Sequence, residues 1–282
     1  MRRCERRVAM SAFVLTPALF AIFADLIEGT CGLHHAARDR ELLGPKLAAQ
    51  AQEAGYTSLL DYYYRLRYDD PDGVELRALI ETLIVRETYF FRELVALEQL
   101  VDRHIVPLVS SHGRARVWSA GCSTGEEPCT LAMLLEERGV LDSVAIVATD
   151  LSEAAIVRAR ANRFGRRSLR DGHPVSLASK YLEVRAGTLQ VVPRIHDAVR
   201  FRTLNLVDDA AIRQLGTFDA ILCRNVLIYF RDAQIVAAIE RLGDALAADG
   251  LLAIGISESL SRFGTSFTCA ERGGAFFYER AT

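Results

Sequence analysis

The sequence predicts an α/β fold: a parallel sheet covered by helices on both faces and carrying a small β-insert, preceded by a small all-helical N-terminal domain. Three observations predict it. Val144 to Thr149 is a continuous apolar run, as a strand buried on both faces requires. From Arg116 onward strand-like and helix-like patterns alternate, the rhythm of βαβ units. Up to about residue 100, by contrast, every apolar pattern has helical spacing.

With 282 residues, half of them hydrophobic, the chain can bury one large core or two modest ones. A net charge of -2 gives no overall basic field, so nonspecific nucleic-acid binding is not suggested and any basic patch is local. Cys4, Cys31, Cys122, Cys129, Cys223 and Cys269 are scattered without a CxxC pair. Neither a zinc site nor a disulfide framework is indicated, and reduced thiols in a cytosol fit best. Arg2, Arg3, Arg6 and Arg7 ahead of the uncharged run Val8 to Ala24 have the look of a signal peptide. Thr16-Pro17 is nevertheless a helix start; apolar Leu19, Phe20, Ile22, Phe23, Leu26 and Ile27 follow, and Gly29 and Gly32 can end the helix. The run is also short for a membrane span, which needs about 20 apolar residues. A core helix is therefore the preferred reading, with residues 1–15 a disordered extension or, up to Met10, a misassigned start.

The helical domain is expected over residues 16–86. Ala36 to Ala54 carries Leu42, Leu43, Leu47, Ala48 and Ala51 at helical spacing and stops at Gly55. Ser58 can cap Leu59 to Arg67, whose Tyr62, Tyr63 and Tyr64 read as core and rim packing rather than a base-stacking platform. Asp69 to Gly73 is a loop by composition, and Val74 to Val85 is a fourth helix with Leu76, Leu79, Ile80 and Leu83 on one side. In Arg86 to Glu93, the adjacent Phe90 and Phe91 lie between the two arginines Arg86 and Arg92, so Arg92 projects either from a packed anchor or from an ordinary helix corner into solvent.

The stretch Val117 to Ala132 reads as a strand, a turn bearing Gly121 and Gly125, and a helix entered at Pro128. Free N–H groups at a helix start behind a glycine turn suit a nucleotide, and the same features describe a plain βα turn. Asp150, at the tip of the next strand, stands where Rossmann-like sites hold ribose hydroxyls; the competing role, N-cap of the helix Ser152 to Asn162, is better filled by Ser152. Arg163, Arg166, Arg167 and Arg170 form a basic cluster suited to an acidic partner or to a solvated face. The β-insert is expected at about 181–203, a hairpin over Ala186-Gly187 extended by Val199 to Thr203. Polar strand ends follow at Asn205-Leu206, Cys223-Arg224-Asn225 and Ser257-Glu258-Ser259, where ligands bind in open α/β sheets. Phe276 to Tyr278 is a last, antiparallel strand.

Glu87 to Arg92, Trp118 to Pro128, Ala148 to Ser152, Cys223 to Phe230 and Gly255 to Glu258 together resemble, in order, the motifs of the CheR family of chemotaxis receptor glutamate O-methyltransferases. The resemblance runs from about residue 16 to the C-terminus and implies a Rossmann-like S-adenosylmethionine-dependent methyltransferase domain over 87–282, its β-insert serving receptor docking. It implies a cofactor site lined by Arg86, Thr88, Arg92, Ala120, Gly121, Glu126, Asp150, Asn205, Leu206, Cys223, Arg224 and Asn225. Asp150 would take the ribose hydroxyls, Glu126 would lie near the methionine portion or its amino group, and Arg92 and Tyr229 would face the methyl and the incoming glutamate. Arg86 stands where the family has asparagine, adding a positive charge beside the site. The resemblance further implies a cytoplasmic monomer acting on chemoreceptor helices, with no metal, no nucleic acid and no stable membrane insertion.

The chemistry fits these residues. A glutamate side chain is already an anion at neutral pH, so no general base is required; alignment and removal of carboxylate hydration are. Arg92 can hold a carboxylate bidentately while Tyr229 donates one hydrogen bond. The short Ala186-Gly187 turn suggests direct recognition of helical receptor segments without tethering to a C-terminal peptide. The rival readings are a non-catalytic scaffold or sensor on the same fold, and a methyltransferase acting on another protein, a small molecule or a nucleic acid; an Asn-Pro-Pro-Tyr type motif is missing where Cys223-Arg224-Asn225 stands.

Overall fold

The structure, a computed structural model, describes residues 13–280. The greater part of the extension expected over residues 1–15 lies outside the described residues. Leu15 is described, and it is buried, so the folded chain begins ahead of Thr16. The chain forms two compact units, one ending at Val85 and the other starting at Arg86.

In the first unit, α1 (Pro17–Cys31) starts at Thr16, whose hydroxyl accepts the Leu19 N–H at 3.2 Å, and runs through Gly29 to a left-handed stop at Gly32 (φ 79°). Its apolar stripe buries Phe20, Phe23, Leu26 and Ile27. In α2 (Arg40–Glu53), Leu43, Leu47 and Ala51 are buried at intervals of four, whereas Leu42 falls off that stripe and is exposed. Helix α3 (Leu59–Tyr64) is capped by Ser58 and passes into a π-turn at Arg65–Asp69. Tyr62 is buried against Tyr56 and Phe23, while Tyr64 and Tyr68 stack on one another in solvent. Leu79, Ile80 and Leu83 are the buried face of α4 (Val74–Leu83).

The second unit opens with α5 (Leu94–Leu100), a π-turn at Val101–Ile105, and α6 (Val106–His112), which ends at Gly113. Then β1 (Ala115–Ala120), α7 (Glu126–Glu137), β2 (Val144–Asp150) and α8 (Glu153–Arg160) form the first βαβα repeat. Helix α9 (Val175–Tyr181) leads into the two-stranded antiparallel hairpin of β3 (Leu182–Arg185) and β4 (Thr188–Val191). After α10 (Pro193–His196) come β5 (Val199–Thr203), α11 (Asp209–Leu215), β6 (Phe218–Cys223) and α12 (Asp232–Asp244). The chain ends in β7 (Leu246–Ile254), β8 (Phe267–Arg272) and β9 (Ala275–Arg280).

The main sheet has the order β5-β2-β1-β6-β7-β9-β8. Its first five strands are parallel, and β9 turns antiparallel to both β7 and β8. Alternate residues of each strand feed opposite cores. Val117, Ile146, Ala148, Ala220 and Leu222 pack on one side with α7 and α8; Trp118, Val147, Ile221, Cys223 and Leu252 pack on the other with α12. Two covered faces are why the strands read as unbroken apolar runs. The chain steps outward from β1 to β2 and β5, then reverses to β6 and β7, so the strand order switches direction between β1 and β6. Ligands of such sheets bind beyond the carboxyl ends of the strands at that switch.

Two elements differ from expectation. Val199 to Thr203 is not part of the insert: it is the parallel edge strand β5 beside β2, because Val199 and Phe201 bury toward the α7 side while Arg200 and Arg202 face solvent. The separate hairpin is thereby confined to 182–191. Strand β8 is mostly exposed, so no apolar run announces it. Among the described residues no helix is long and apolar enough to cross a membrane.

Candidate functional site

The turn after β1 is pinned to the neighbouring strand. The N–H groups of Gly121 and Cys122 both donate to the Thr149 carbonyl, at 2.8 and 2.9 Å, and the Trp118 indole donates to the Thr149 hydroxyl. Gly121 (φ 83°) and Gly125 (φ 97°) are left-handed. Their missing side chains leave room for protein rather than for a ligand. A Cβ on Gly121 would stand 2.4 Å from Val226 Cγ2, and one on Gly125 would stand 2.9 Å from the Phe201 ring. Helix α7 begins at Glu126, two residues earlier than Pro128 suggests.

Asp150 closes the same turn from the side. Its Oδ2 accepts the Ser123 N–H at 2.7 Å and its Oδ1 accepts the Ser152 N–H at 2.8 Å, while Ser152 itself caps α8. The Leu204 N–H donates to the Asp150 carbonyl, which sets Asn205 and Leu206 immediately beyond the tip of β2. Leu206 is buried, and the Asn205 side-chain oxygen accepts the Val207 N–H at 3.2 Å. The Ser123 hydroxyl is buried with no partner among the described residues.

Glu126 is buried at the start of α7 and accepts two hydroxyl hydrogens, from Thr124 at 2.6 Å and from Ser168 at 2.7 Å. Burial pushes its carboxyl above the usual carboxylate range, against these hydrogen bonds. Ser168 ties a second segment into the site, since its carbonyl accepts the Phe90 N–H at 2.7 Å. The Phe91 N–H donates to the buried Thr130 hydroxyl at 3.1 Å. Phe90 and Phe91 are both buried, so Arg92 does project from a packed aromatic anchor. Its guanidinium donates to the Glu87 carbonyl at 3.1 Å, and its Cζ lies 5.7 Å from the Tyr89 ring centroid. Arg170 covers the same ring at 3.8 Å and pairs with Glu87 at 2.7 Å, whereas Arg163, Arg166 and Arg167 are exposed on a solvated face. Arg86 and Thr88 stand half-exposed on the same segment.

Past β6 the expected lining residues behave differently from one another. The Cys223 side chain is fully buried in the sheet core and its thiol is pushed up by burial, so only its backbone can meet a ligand. Ala120 at the end of β1 is buried likewise. Arg224 is a buried cation that pairs with Glu127 at 2.8 Å and Glu93 at 3.0 Å and donates to the Arg92 carbonyl at 2.9 Å. Its Nε alone finds no partner among the described residues. Asn225 is left-handed (φ 58°), and its N–H donates to Glu258 Oε2 at 2.7 Å. Tyr229 sits half-buried in the 3-10 turn Leu227–Tyr229. Burial raises its phenol and the negative charge of Glu87 raises it further, while Arg92 opposes, so these groups share one electrostatic neighbourhood.

Of the six non-glycine residues with positive φ among the described residues, four lie on these loops: Phe91, Glu93, Ser123 and Asn225. Each such residue costs about 1 kcal/mol, and strain of this kind gathers at functional sites. Sequence reasoning passed over Glu93, Glu127, Thr130 and Ser168, whose partners are far away in the chain. Glu258 carried a signal as the acid of the motif after β7.

A parallel sheet with a strained glycine turn after its first central strand and an acid at the tip of the next defines a nucleoside-binding α/β protein. Residues 86–274 match the family described as CheR methyltransferase, SAM binding domain. The chain is 35% identical over 264 residues to chemotaxis protein methyltransferase 2 of Vibrio cholerae, covering 92% of this chain and 91% of that protein. It is 32% identical over 251 residues to chemotaxis protein methyltransferase 1 of Pseudomonas aeruginosa, covering 86% and 90%. The chain belongs to the CheR family of S-adenosylmethionine-dependent methyltransferases, which act in chemotaxis.

Proposed function

We propose that this protein forms methyl esters on the side-chain carboxylates of glutamate residues in chemoreceptor cytoplasmic helices. The observation that carries the reading is the shared electrostatic neighbourhood of Arg92, Glu87 and Tyr229: a guanidinium and a phenol, with no nucleophile-and-base pair beside them among the described residues. The buried thiols of Cys122, Cys129 and Cys223 are all pushed up by burial, which makes them poor nucleophiles. A carboxylate substrate needs neither, because it arrives ionised.

The residues present fit S-adenosylmethionine. Asp150 would take the ribose hydroxyls. Glu126, a carboxylate whose ionised form burial disfavours, would take the cationic amino-acid end, where a positive charge offsets that burial cost. The unpartnered Ser123 hydroxyl and Arg224 Nε are donors left for the same ligand. Backbone at Ala120, Gly121, Cys223 and Asn225, with Arg86, Thr88, Asn205 and Leu206, would complete the lining. When bound, the cofactor supplies a methyl group on a sulfonium sulfur. Arg92 holds the incoming glutamate carboxylate by paired N–H donors, and Tyr229 donates one hydrogen bond that orients its attacking oxygen. The half-buried setting of Tyr229 would remove part of the water from around that oxygen.

The two-residue Ala186-Gly187 turn of the β3–β4 hairpin supports direct recognition of receptor helices rather than capture of a tail peptide. On this reading the enzyme is a cytoplasmic monomer. The test is incubation with labelled S-adenosylmethionine and receptor cytoplasmic domains. Base-labile label on glutamate is expected; base-stable label, or none, overturns the substrate assignment.

A further inference from the structure

Glu258 is the motif acid to which neither cofactor nor substrate has given a role. Its carboxylate lies beyond β7 and is mostly buried, and it accepts backbone N–H groups from two directions. From its own segment the Gly255 N–H reaches Oε2 at 2.6 Å. From the loop after β6, Asn225 N–H reaches Oε2 at 2.7 Å and Ile228 N–H reaches Oε1 at 3.2 Å, with the Leu227 N–H also turned to it. Leu227 and Ile228 open the 3-10 turn that ends in Tyr229. A single carboxylate therefore caps the turn that carries the phenol.

The other end of the same segment grips Arg92's turn. The Ile256 N–H donates to Glu93 Oε2 at 3.2 Å, and Glu93 is held to the Arg92 carbonyl through Arg224. Packing leaves no slack at the start of the segment, since a Cβ on Gly255 would stand 2.5 Å from Asn225 Nδ2 and 2.8 Å from Glu258 Oε2. Gly255 to Glu258 thus spans the two turns as a spacer of fixed length.

We infer that Glu258 is a positioning residue for methyl transfer: by capping the Leu227–Tyr229 turn from the end of β7, it sets where the Tyr229 hydroxyl stands relative to Arg92. This deepens, and rests on, the roles given above to Arg92 and Tyr229. Glu258 touches neither substrate nor cofactor and acts through Tyr229. Positional errors of about 1 Å at a reacting centre cost as much as 10²-fold in rate.

A double-mutant cycle on the full chain tests it, with turnover read on a receptor cytoplasmic domain, cofactor affinity by calorimetry and folding by thermal melting. In Glu258→Gln the amide cannot accept from both sides, because its NH2 faces N–H donors. The expected result is a fall in kcat of about tenfold, with cofactor Kd within about threefold of wild type. The decisive comparison is Tyr229→Phe, which lowers kcat in the wild-type background and by less than about twofold in the Glu258→Gln background. Losses that multiply, or wild-type kcat in Glu258→Gln, overturn the inference. If Glu258→Gln does not fold, Glu258→Asp keeps the charge while shortening its reach, and the same cycle decides. A wild-type enzyme that makes no base-labile ester removes the functional reading itself, and with it this inference; wild-type turnover with multiplying losses removes the inference alone.

Discussion

Asp150 accepts the backbone N–H of Ser123 at 2.7 Å, so the tip of β2 reaches sideways into the glycine turn that follows β1. Ser123 is held left-handed there (φ 50°), and the second oxygen of Asp150 holds the entry to α8. One carboxylate thus shapes the turn, and in the proposed function it also takes the ribose hydroxyls. Asp150→Ala should weaken cofactor binding through both roles. Hydrogen bonds to charged groups are worth about 1.5–3 kcal/mol, so the loss should be roughly 10- to 100-fold in Kd by calorimetry. An unchanged Kd would sink the ribose assignment.

Arg92 is the substitution that should separate chemistry from folding. The anchors of its turn are the Phe90 and Phe91 N–H bonds and the Arg92 carbonyl, all of them backbone and all present in Arg92→Ala. We expect a melting temperature close to wild type and methyl transfer reduced at least about 10²-fold, the scale of losing a fixed electrostatic donor. Wild-type turnover in this variant would remove Arg92 from the mechanism. Tyr229→Phe loses one hydroxyl and should slow transfer roughly two- to tenfold, with cofactor affinity little changed.

Much of this arrangement is legible in the sequence wherever one local requirement dominates. Thr16-Pro17 before an apolar helix, the unbroken strand Val144 to Thr149 and the acid at its tip each satisfy a constraint that neighbours in the chain impose. Phe90-Phe91 leaves Arg92 open between an anchored and a solvated reading, and the burial of both rings decides for the anchor. What is not legible depends on partners brought together by the fold. Val199 to Thr203 alternates as an edge strand should, yet its partner is β2, not the hairpin just before it. Gly121 and Gly125 mark the turn correctly, but the atoms that exclude a side chain there belong to Val226 and Phe201. Arg224 looks like a ligand contact from its place at a strand end; its charge is spent on Glu93 and Glu127, acids that precede it by about a hundred residues or more.

That buried cation makes a stability prediction. In Arg224→Met the carboxylates of Glu93 and Glu127 lose their common partner, and the Arg92 carbonyl loses a donor. Removing one partner of a buried ion pair costs about 3–5 kcal/mol, and urea unfolding of the variant should show a loss of that size. Arg224→Lys should recover little, because one ammonium cannot reproduce the spread of a guanidinium across three acceptors. A variant as stable as wild type would mean that these ion pairs contribute nothing net.

Gly125→Ala should destabilise without any change in polarity. The added Cβ meets the Phe201 ring at 2.9 Å and the Ala159 side chain at 3.1 Å in a left-handed backbone (φ 97°). Overpacking costs about 1–3 kcal/mol and the backbone conformation about 1–2 kcal/mol more. Phe201→Leu in the same chain should recover part of the first cost and none of the second, as measured by thermal melting. Full recovery would show that the conformation of Gly125 is not under constraint.

Glu126 supplies a prediction in pH. Burial raises its carboxyl above the ordinary carboxylate value, and Glu258 is raised by burial too. The folded protein therefore holds these protons more tightly than the unfolded chain does. Their contribution to stability is fully present below the unfolded pKa and is lost as pH rises through the folded pKa. Above that window Glu126 is a buried anion that accepts two hydroxyl hydrogens and has no salt-bridge partner among the described residues, and Glu126→Gln removes the charge while keeping the shape. The variant should melt higher than wild type at neutral pH and lose part of the pH dependence on the acid side. Its cofactor affinity should fall about tenfold, because the charge that burdens the free protein is the one that meets the cationic ligand. Higher stability with unchanged affinity would assign Glu126 to folding alone, and lower stability at neutral pH would show that its ionised form is the one the fold prefers.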